Sequence, residues 1–325
     1  MFKTAKRLNL FSSAIFYELN HMKQELLHAG RTVTDLGIGS PDLFPPSHAI
    51  DAFSKALMQP GVFGYANTEG TSFFRDAAAD FLRTRYQVDV DSTNEVLTLM
   101  GSQDALSHLT LALIDPGDIV LIPDPGYPIY EVAVHLAGGV PFYMPLSADT
   151  GFLPDLAAIP EDVAQRAKLM VLNFPGNPTT AQADGAFFRK LIEFAQQYEI
   201  MVVHDAAYIE LMLNGHTAPS FLAENGAKEV GIELHSLSKT FNLAGPRLAF
   251  AAGNAQILQA LRIIKSNIDY GVFLGAQMAG VAALRNPVEH ITLMRATYLL
   301  RRDAFLAPLH EAGWKITPPE STMFV

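Results

Sequence analysis

Apolar residues follow two alternating rhythms through the middle of the chain. Short continuous runs stand at Glu95–Met100, Asp118–Ile122, Lys168–Asn173, Ile200–His204, Val230–His235 and Arg247–Ala252. Between several of them, apolar positions recur at helical spacing, over Gln103–Ile114, Tyr127–Ala137, Ala186–Tyr198 and Ala255–Ser266. An unbroken apolar run fits a strand buried on both faces. Such strands alternating with helices predict an α/β fold whose mostly parallel sheet is covered on both sides. Long helical patterns dominate from Gly271, especially Pro287–His310, and the closing "GWKITPPESTMFV" predicts a strand, a turn and a second strand barely begun.

Composition narrows the class. The chain has 325 residues, of which 49% are hydrophobic and 17% charged, enough for a large core and a second, smaller one. A formal net charge of −10 with no basic stripe argues against a nucleic-acid or anionic-membrane partner. The absence of cysteine excludes disulfides, zinc–thiolate sites and thiol catalysis, and fits a reducing compartment. The first twenty residues, "MFKTAKRLNLFSSAIFYELN", lack a long apolar core or a small-residue cleavage site, so they read as part of the mature fold. No apolar stretch reaches the length of a membrane span, and the expectation is a cytoplasmic protein.

In α/β folds ligands sit beyond the carboxyl ends of the strands, and the chemically suggestive residues cluster at those junctions. In "HSLSKTFNLAGPRLAF", Lys239 follows an apolar strand, with Ser236 and Ser238 beside it and Arg247 eight positions on. A lysine acts as a nucleophile only when neutral, which takes desolvation or a nearby cation, and Arg247 offers a fork suited to phosphate. Taken alone, Lys239 reads equally as an exposed loop lysine. Asp205 ends the run "MVVHD", where a carboxylate needs a cationic partner such as a protonated ring nitrogen, or else serves as a helix cap or structural ion pair. Tyr208 lies three residues further on. Asn177 precedes Pro178 in "LNFPGNPTT", a candidate cis bond and otherwise an ordinary turn. Gly101-Ser102-Gln103 opens a helix whose free N–H groups suit an anion, although Ser102 is also a good cap. Tyr127 follows a strand and could lie on a flat ring or simply pack as a loop aromatic. His204 and His235 stand near strand ends, but no histidine pair has metal-ligand spacing, so no metal is assigned.

Seven stretches in order, "LGIGSPD" (36–42), "YANTEG" (65–70), "GSQDAL" (101–106), "PDPGYPIY" (123–130), "NFPGNPTT" (173–180), "HDAAY" (204–208) and "SLSKTFNLAGPR" (236–247), resemble the class I/II aminotransferases. These are pyridoxal-phosphate enzymes of the aspartate aminotransferase fold, fold type I. The resemblance implies a mostly parallel seven-stranded sheet, with a large cofactor-binding domain over 45–285. Residues 1–44 would form an N-terminal arm and part of a small domain, and 286–325 the start of a C-terminal small domain whose remainder is missing. It implies that Lys239 holds the cofactor as a Schiff base and shuttles a proton, that Asp205 pairs with the pyridine nitrogen, and that Tyr127 stacks on the ring. Asn177 and Tyr208 would contact the phenolic oxygen. Ser236, Arg247 and the backbone at Ser102 and Gln103 would grip the phosphate. Tyr65 would enter the neighbouring subunit's phosphate site, implying a homodimer, and Gly39 and Asn177 would meet the substrate. Amino acids and 2-oxo acids would exchange an amino group in ping-pong order.

The sequence departs from the family's pattern in "NPTT", where NPTG is more usual, and at its end. There the arginine that clamps the substrate carboxylate has no match, since Arg285, Arg295, Arg301 and Arg302 do not fit that motif. The stretch "SNIDYGVFLGAQ" resembles the branch of LL-diaminopimelate aminotransferases and related alanine or aspartate types. Two other readings stay open: a pyridoxal-phosphate carbon–sulfur lyase or other fold type I enzyme, and a non-catalytic protein on the same scaffold.

Overall fold

The computed structural model describes residues 2–10, 15–37 and 39–325. Met1, residues 11–14 and Ile38, which belong to the N-terminal stretch and to "LGIGSPD", lie outside the described residues. The chain divides into two units, Met1–Pro41 and Asp42–Val325. The first holds a 3₁₀ turn, Lys6–Leu10, and helix α1, Ile15–His28, with Lys23 paired to Asp35 at 2.9 Å.

The second unit is built on seven strands: β1 (Val96–Leu99), β2 (Ile119–Asp124), β3 (Val140–Pro145), β4 (Ala167–Asn173), β5 (Met201–Asp205), β6 (Gly231–Ser236) and β7 (Ala249–Gly253). Their order across the sheet is β1-β7-β6-β5-β4-β2-β3, and only β7 runs antiparallel to its neighbours β1 and β6. The expected α/β fold with a mostly parallel seven-stranded sheet is what forms. Helices α2 (Ser47–Leu57), α3 (Ser72–Tyr86), α4 (Ser102–Leu113), α5 (Ile129–Ala137), α6 (Glu161–Ala164), α7 (Gly185–Tyr198), α8 (Ala227–Val230), α9 (Leu237–Thr240), α10 (Ala255–Ile268), α11 (Leu274–Arg285) and α12 (Val288–Glu311) complete it.

The strands carry continuous apolar runs because each face meets helices. Leu121, Met170, Leu172, Val202, Phe250 and Ala252 pack with Phe74 and Phe81 of α3, Phe188 and Leu191 of α7 and Ala276 of α11. Their neighbours Val120, Ile122, Leu169, Val171, Val203, Leu234 and Ala251 point the other way. They meet Leu106 and Leu109 of α4, Val134 of α5 and Leu258 and Leu261 of α10. The two-residue period of a strand thus serves two cores at once. Local chemistry starts the helices: Asp184 accepts from Phe187 N at 2.8 Å to cap α7, and Asn254 accepts from Gln256 N and Ile257 N to cap α10.

Two segments differ from the sequence expectation. Val140–Pro145 was not among the expected strands because Pro141 and Pro145 break the pattern, yet it pairs with β2 as an edge strand, where a missing N–H is tolerated. The closing segment forms no strand pair. It makes one bridge, Met212 to Ser321, and is held by Leu213 N donating to Glu320 O and Thr322 N donating to Leu211 O. Two prolines in "TPPE" leave too few donors for a ladder. Among the described residues no helix is long and apolar enough to cross a membrane.

Leu234 is fully buried on β6. Leu234→Ala should lower unfolding free energy by about 2–5 kcal/mol in urea titrations of the cofactor-free protein, through lost burial plus the cavity left behind.

Candidate active site

The carboxyl ends of the parallel strands lie side by side. Asn173 of β4 is in register with Asp205 of β5, and Asp205 with Leu234 of β6, two residues before Ser236. The antiparallel β7 presents its beginning at this same edge, since Ser236 faces Ala249 and Leu99 faces Ala249 from the other side. Arg247, two residues before β7, therefore reaches the edge from which α4 and α9 depart.

Lys239 sits in the single turn of α9, half-buried, with its Nζ 5.7 Å above the Tyr208 ring. Burial lowers the basicity of its amine, the Arg247 cation lowers it further, and Asp205 opposes both. The amine thus lies within the electrostatic reach of both residues. Asp205 is buried at the end of β5, and burial raises its pKa against the hydrogen bond from Tyr130 and the fields of His204 and His235. Tyr130 Oη donates to its Oδ2 at 2.9 Å, and Ala207 N donates to its Oδ1 at 3.3 Å. Burial also raises the Tyr127 phenol, with Asp205 adding to the rise and Arg247 opposing it. Its ring meets that of Tyr130 edge-on at 6.1 Å.

Asn177 opens the third of three cis prolyl bonds among the described residues, Asn177–Pro178, as its sequence suggested. Its Nδ2 lies 3.5 Å from the Tyr208 hydroxyl, and its backbone N donates to Asn173 Oδ1 at 2.7 Å. Asn173 Nδ2 in turn donates to the Asp205 carbonyl at 2.7 Å, so one asparagine fixes the ends of two strands. Ser236 is buried at the end of β6. Ser102 is the first residue of α4 rather than its cap, which is Gly101 at φ +80°. A Cβ at Gly101 would stand 2.5 Å from Arg247 Nη2, so the guanidinium lies against the bare backbone where the helix begins. Arg247 itself takes φ +53°, an uncommon conformation for arginine. The first N–H groups of α4, at Ser102 and Gln103, and the Arg247 fork are donors suited to an anion.

Two further expected site residues have other surroundings. Tyr65 is 94% exposed, its ring 5.4 Å from that of Tyr270, and Gly39 belongs to the N-terminal unit. Sequence reasoning did not assign Tyr130 or Asn173. Both stood in quoted stretches, and the signal was their spacing: Tyr130 lies one helical turn after Tyr127, and Asn173 ends a strand. Three of the C-terminal arginines are committed elsewhere. Arg295 binds Glu210, Arg301 forms a two-pronged pair with Asp42 at 2.7 and 3.0 Å, and Arg302 binds Asp303 and the Pro319 carbonyl. Asp104, His108 and Asp269 gather within 4.8 Å, a grouping invisible in sequence spacing, but Lys265 Nζ bonds to both aspartates and supplies the cation.

The donor set suits pyridoxal phosphate. A buried carboxylate stands at a strand end, an amine of lowered basicity lies within its field and that of a guanidinium, and the guanidinium lies against a glycine of positive φ at a helix start. A model of the aminotransferase class I and II family matches residues 31–325. An LL-diaminopimelate aminotransferase of Moorella thermoacetica is 46% identical, with 99% of this chain and 82% of that protein aligned. One of Desulforudis audaxviator is 44% identical over 100% of this chain and 83% of its own. Substrate-bound BacF of Bacillus subtilis superimposes with a TM-score of 0.95 at 37% identity, covering 99% of this chain and 82% of that one. A Thermus thermophilus aspartate aminotransferase mutant gives 0.92 at 27% identity, over 99% and 84%. The chain belongs to the class I and II aminotransferases, a family that depends on pyridoxal phosphate. It is a transaminase, an enzyme exchanging an amino group between an amino acid and a 2-oxo acid.

Tyr130→Phe removes the hydroxyl donor to a buried carboxylate and should cost about 1–3 kcal/mol of stability in the cofactor-free protein. Asp205 keeps its proton to higher pH folded than unfolded, so its contribution to stability declines as pH rises past the ordinary carboxylate range. The substitution extends that decline, and urea titrations should show a larger loss at pH 8 than at pH 5.

Proposed function

We propose that this chain binds pyridoxal 5′-phosphate through Lys239 and transfers the amino group of LL-diaminopimelate to a 2-oxo acid, acting as a cytoplasmic homodimer. The observation that carries the cofactor site is the meeting of Lys239, Asp205 and Arg247 at one sheet edge, coupled electrostatically through the lysine amine. The substrate reading is supported by relatives of that name at 46% and 44% identity. The division into a large domain over 45–285, flanked by 1–44 and 286–325, belongs to the same proposal.

When bound, the cofactor supplies an electron sink that acidifies the substrate α-carbon. The chain's own residues do the rest. Asp205 holds a proton on the ring nitrogen, and Tyr127 covers the ring face. Asn177 and Tyr208 hold the phenolic oxygen. Ser236, Arg247 and the Ser102 and Gln103 backbone hold the phosphate. Lys239 would hold the cofactor and would carry a proton to and from the α-carbon, which its lowered basicity suits. Tyr65, exposed on this chain, reaches a partner's phosphate site. Gly39 and Asn177 receive the substrate, Gly39 on the strength of the family resemblance.

Purified protein should show a visible absorption band that Lys239→Ala abolishes, with turnover falling by about 10²–10⁴-fold or more. A band that survives would remove the lysine's role. Single amino acids offered to the loaded protein discriminate the substrate and the chemistry. LL-diaminopimelate should convert the cofactor to its amine form faster than alanine, aspartate or methionine does. Release of pyruvate and ammonia would point instead to a lyase.

A pH dependence follows from the lysine. Only the neutral amine attacks an aldehyde, so the rate at which the cofactor-free protein takes up pyridoxal phosphate should rise with pH through a midpoint below the ordinary lysine value of 10.5. Arg247→Ala removes a neighbouring cation and should move that midpoint upward, while weakening cofactor affinity about 10–100-fold through loss of a charge-assisted fork.

A further inference from the structure

On the face of the sheet opposite the Asp205 carboxylate lies a second charged group that the reaction does not touch. Glu233 of β6 is fully buried, and four donors fill its carboxylate. Ser220 Oγ and His235 Nε2 donate to Oε1 at 2.8 and 2.7 Å, and Phe221 N and His204 Nδ1 donate to Oε2 at 2.7 and 2.9 Å. Ser220 Oγ already accepts from Leu222 N, which commits its proton to Glu233. Burial works to raise this carboxyl, yet the hydrogen bonds from His204 and His235 overcome it and hold it well below the usual carboxylate range.

His204 is the residue before Asp205 and is also fully buried. Its second nitrogen, Nε2, faces the Phe174 carbonyl at 3.0 Å. A carbonyl oxygen only accepts, so Nε2 carries a proton. Oε2 of an ionised Glu233 also only accepts, so Nδ1 carries one too. A ring with both nitrogens protonated is a cation. Phe174, Phe188 and Phe221 surround it with ring centroids at 6.5, 5.1 and 6.2 Å, which leaves the field of this charge little screened.

We propose that His204 is a positioning residue: a buried imidazolium, fixed between Glu233 and the Phe174 carbonyl, that keeps the adjoining Asp205 carboxylate ionised and so able to hold a proton on the cofactor's ring nitrogen. The inference rests on the reading that Asp205 faces that nitrogen. Asp205 needs such support. It is buried, and among the described residues the side-chain donor to it is the neutral hydroxyl of Tyr130, a weaker partner than a cation. The fields of His204 and His235 both act to lower it. The charged and titratable groups packed around the pair are Glu233 and His235 on β6, Asp205 on β5, and Tyr86 on α3, whose ring lies 6.0 Å from that of His235. An alternative distribution, a neutral His204 beside a protonated Glu233, would leave three further donors aimed at an uncharged acid.

Nitrogen NMR decides the charge without the cofactor. In ¹⁵N-histidine-labelled protein stripped of cofactor, at pH 7.5, the His204 ring should show two protonated nitrogens, assigned by their disappearance in His204→Gln. One protonated and one bare nitrogen would overturn the proposal. With ¹⁵N-labelled pyridoxal phosphate, the ring nitrogen should be protonated in the unaltered protein and shift toward the unprotonated position in His204→Gln, with turnover down at least tenfold. An unmoved ring nitrogen in that variant would equally overturn it. Should His204→Gln fail to fold, Ser220→Ala, which removes one donor to Glu233, should move the ring nitrogen in the same direction by less, and no movement counts against the idea. A cofactor that stays attached in Lys239→Ala would sink the function proposal instead, leaving the His204 spectrum unaffected.

Discussion

A carboxylate at the buried end of a central strand is the constraint around which this site is arranged. Asp205 has a sheet beneath it and helices on either side, and water cannot offset the cost of its charge. Everything nearby responds to that cost. Tyr130 donates to it, Ala207 N supports it, and Asn173 pins its backbone through the carbonyl. The amine of Lys239 feels its field from one side and that of Arg247 from the other. A group that could take up the remaining capacity of this carboxylate has to be cationic where it touches, and a protonated ring nitrogen meets that requirement.

The direction of a single strand explains why these anion-suited donors gather where they do. In a wholly parallel sheet, the residues before a strand would open onto the opposite edge. Because β7 runs antiparallel to β1 and β6, the turn before it opens at the carboxyl edge, and Arg247 arrives against Gly101 at the start of α4. The left-handed backbone at both Gly101 and Arg247 is held by the packing around it. The place where an anion would sit and the sheet topology are thus one feature viewed from two sides.

Much of this was legible in the chain before folding was considered. The apolar runs gave six of the seven strands, because burial on both faces leaves no polar alternation to confuse the pattern. The edge strand β3 escaped because its two prolines mimic a loop, and the closing "GWKITPPESTMFV", which reads as a strand, a turn and the start of a second strand, forms only one bridge. At the site, Lys239, Asp205, Asn177 and Arg247 stood out as candidates because each borders an apolar run in a recurring local pattern. Tyr130 was not, since an aromatic one turn into a helix reads as core until a carboxylate is found beneath it. Glu233 was hidden for a stronger reason. A glutamate in the middle of an apolar strand looks like a break in the pattern, and only three-dimensional packing shows four donors converging on it.

By itself, the sequence determined the layered class of the fold and which residue types would stand at the strand ends, because periodicity and composition are local properties that burial writes directly into the chain. Tertiary structure alone decided which of those ends meet, that β7 reverses, that Arg295 and Arg301 are held in ion pairs away from the cluster, and that His204 lies between two acceptors. Those outcomes depend on contacts between residues far apart in sequence, and charge state and hydrogen-bond partnership are properties of the contact, with no trace in either residue taken singly.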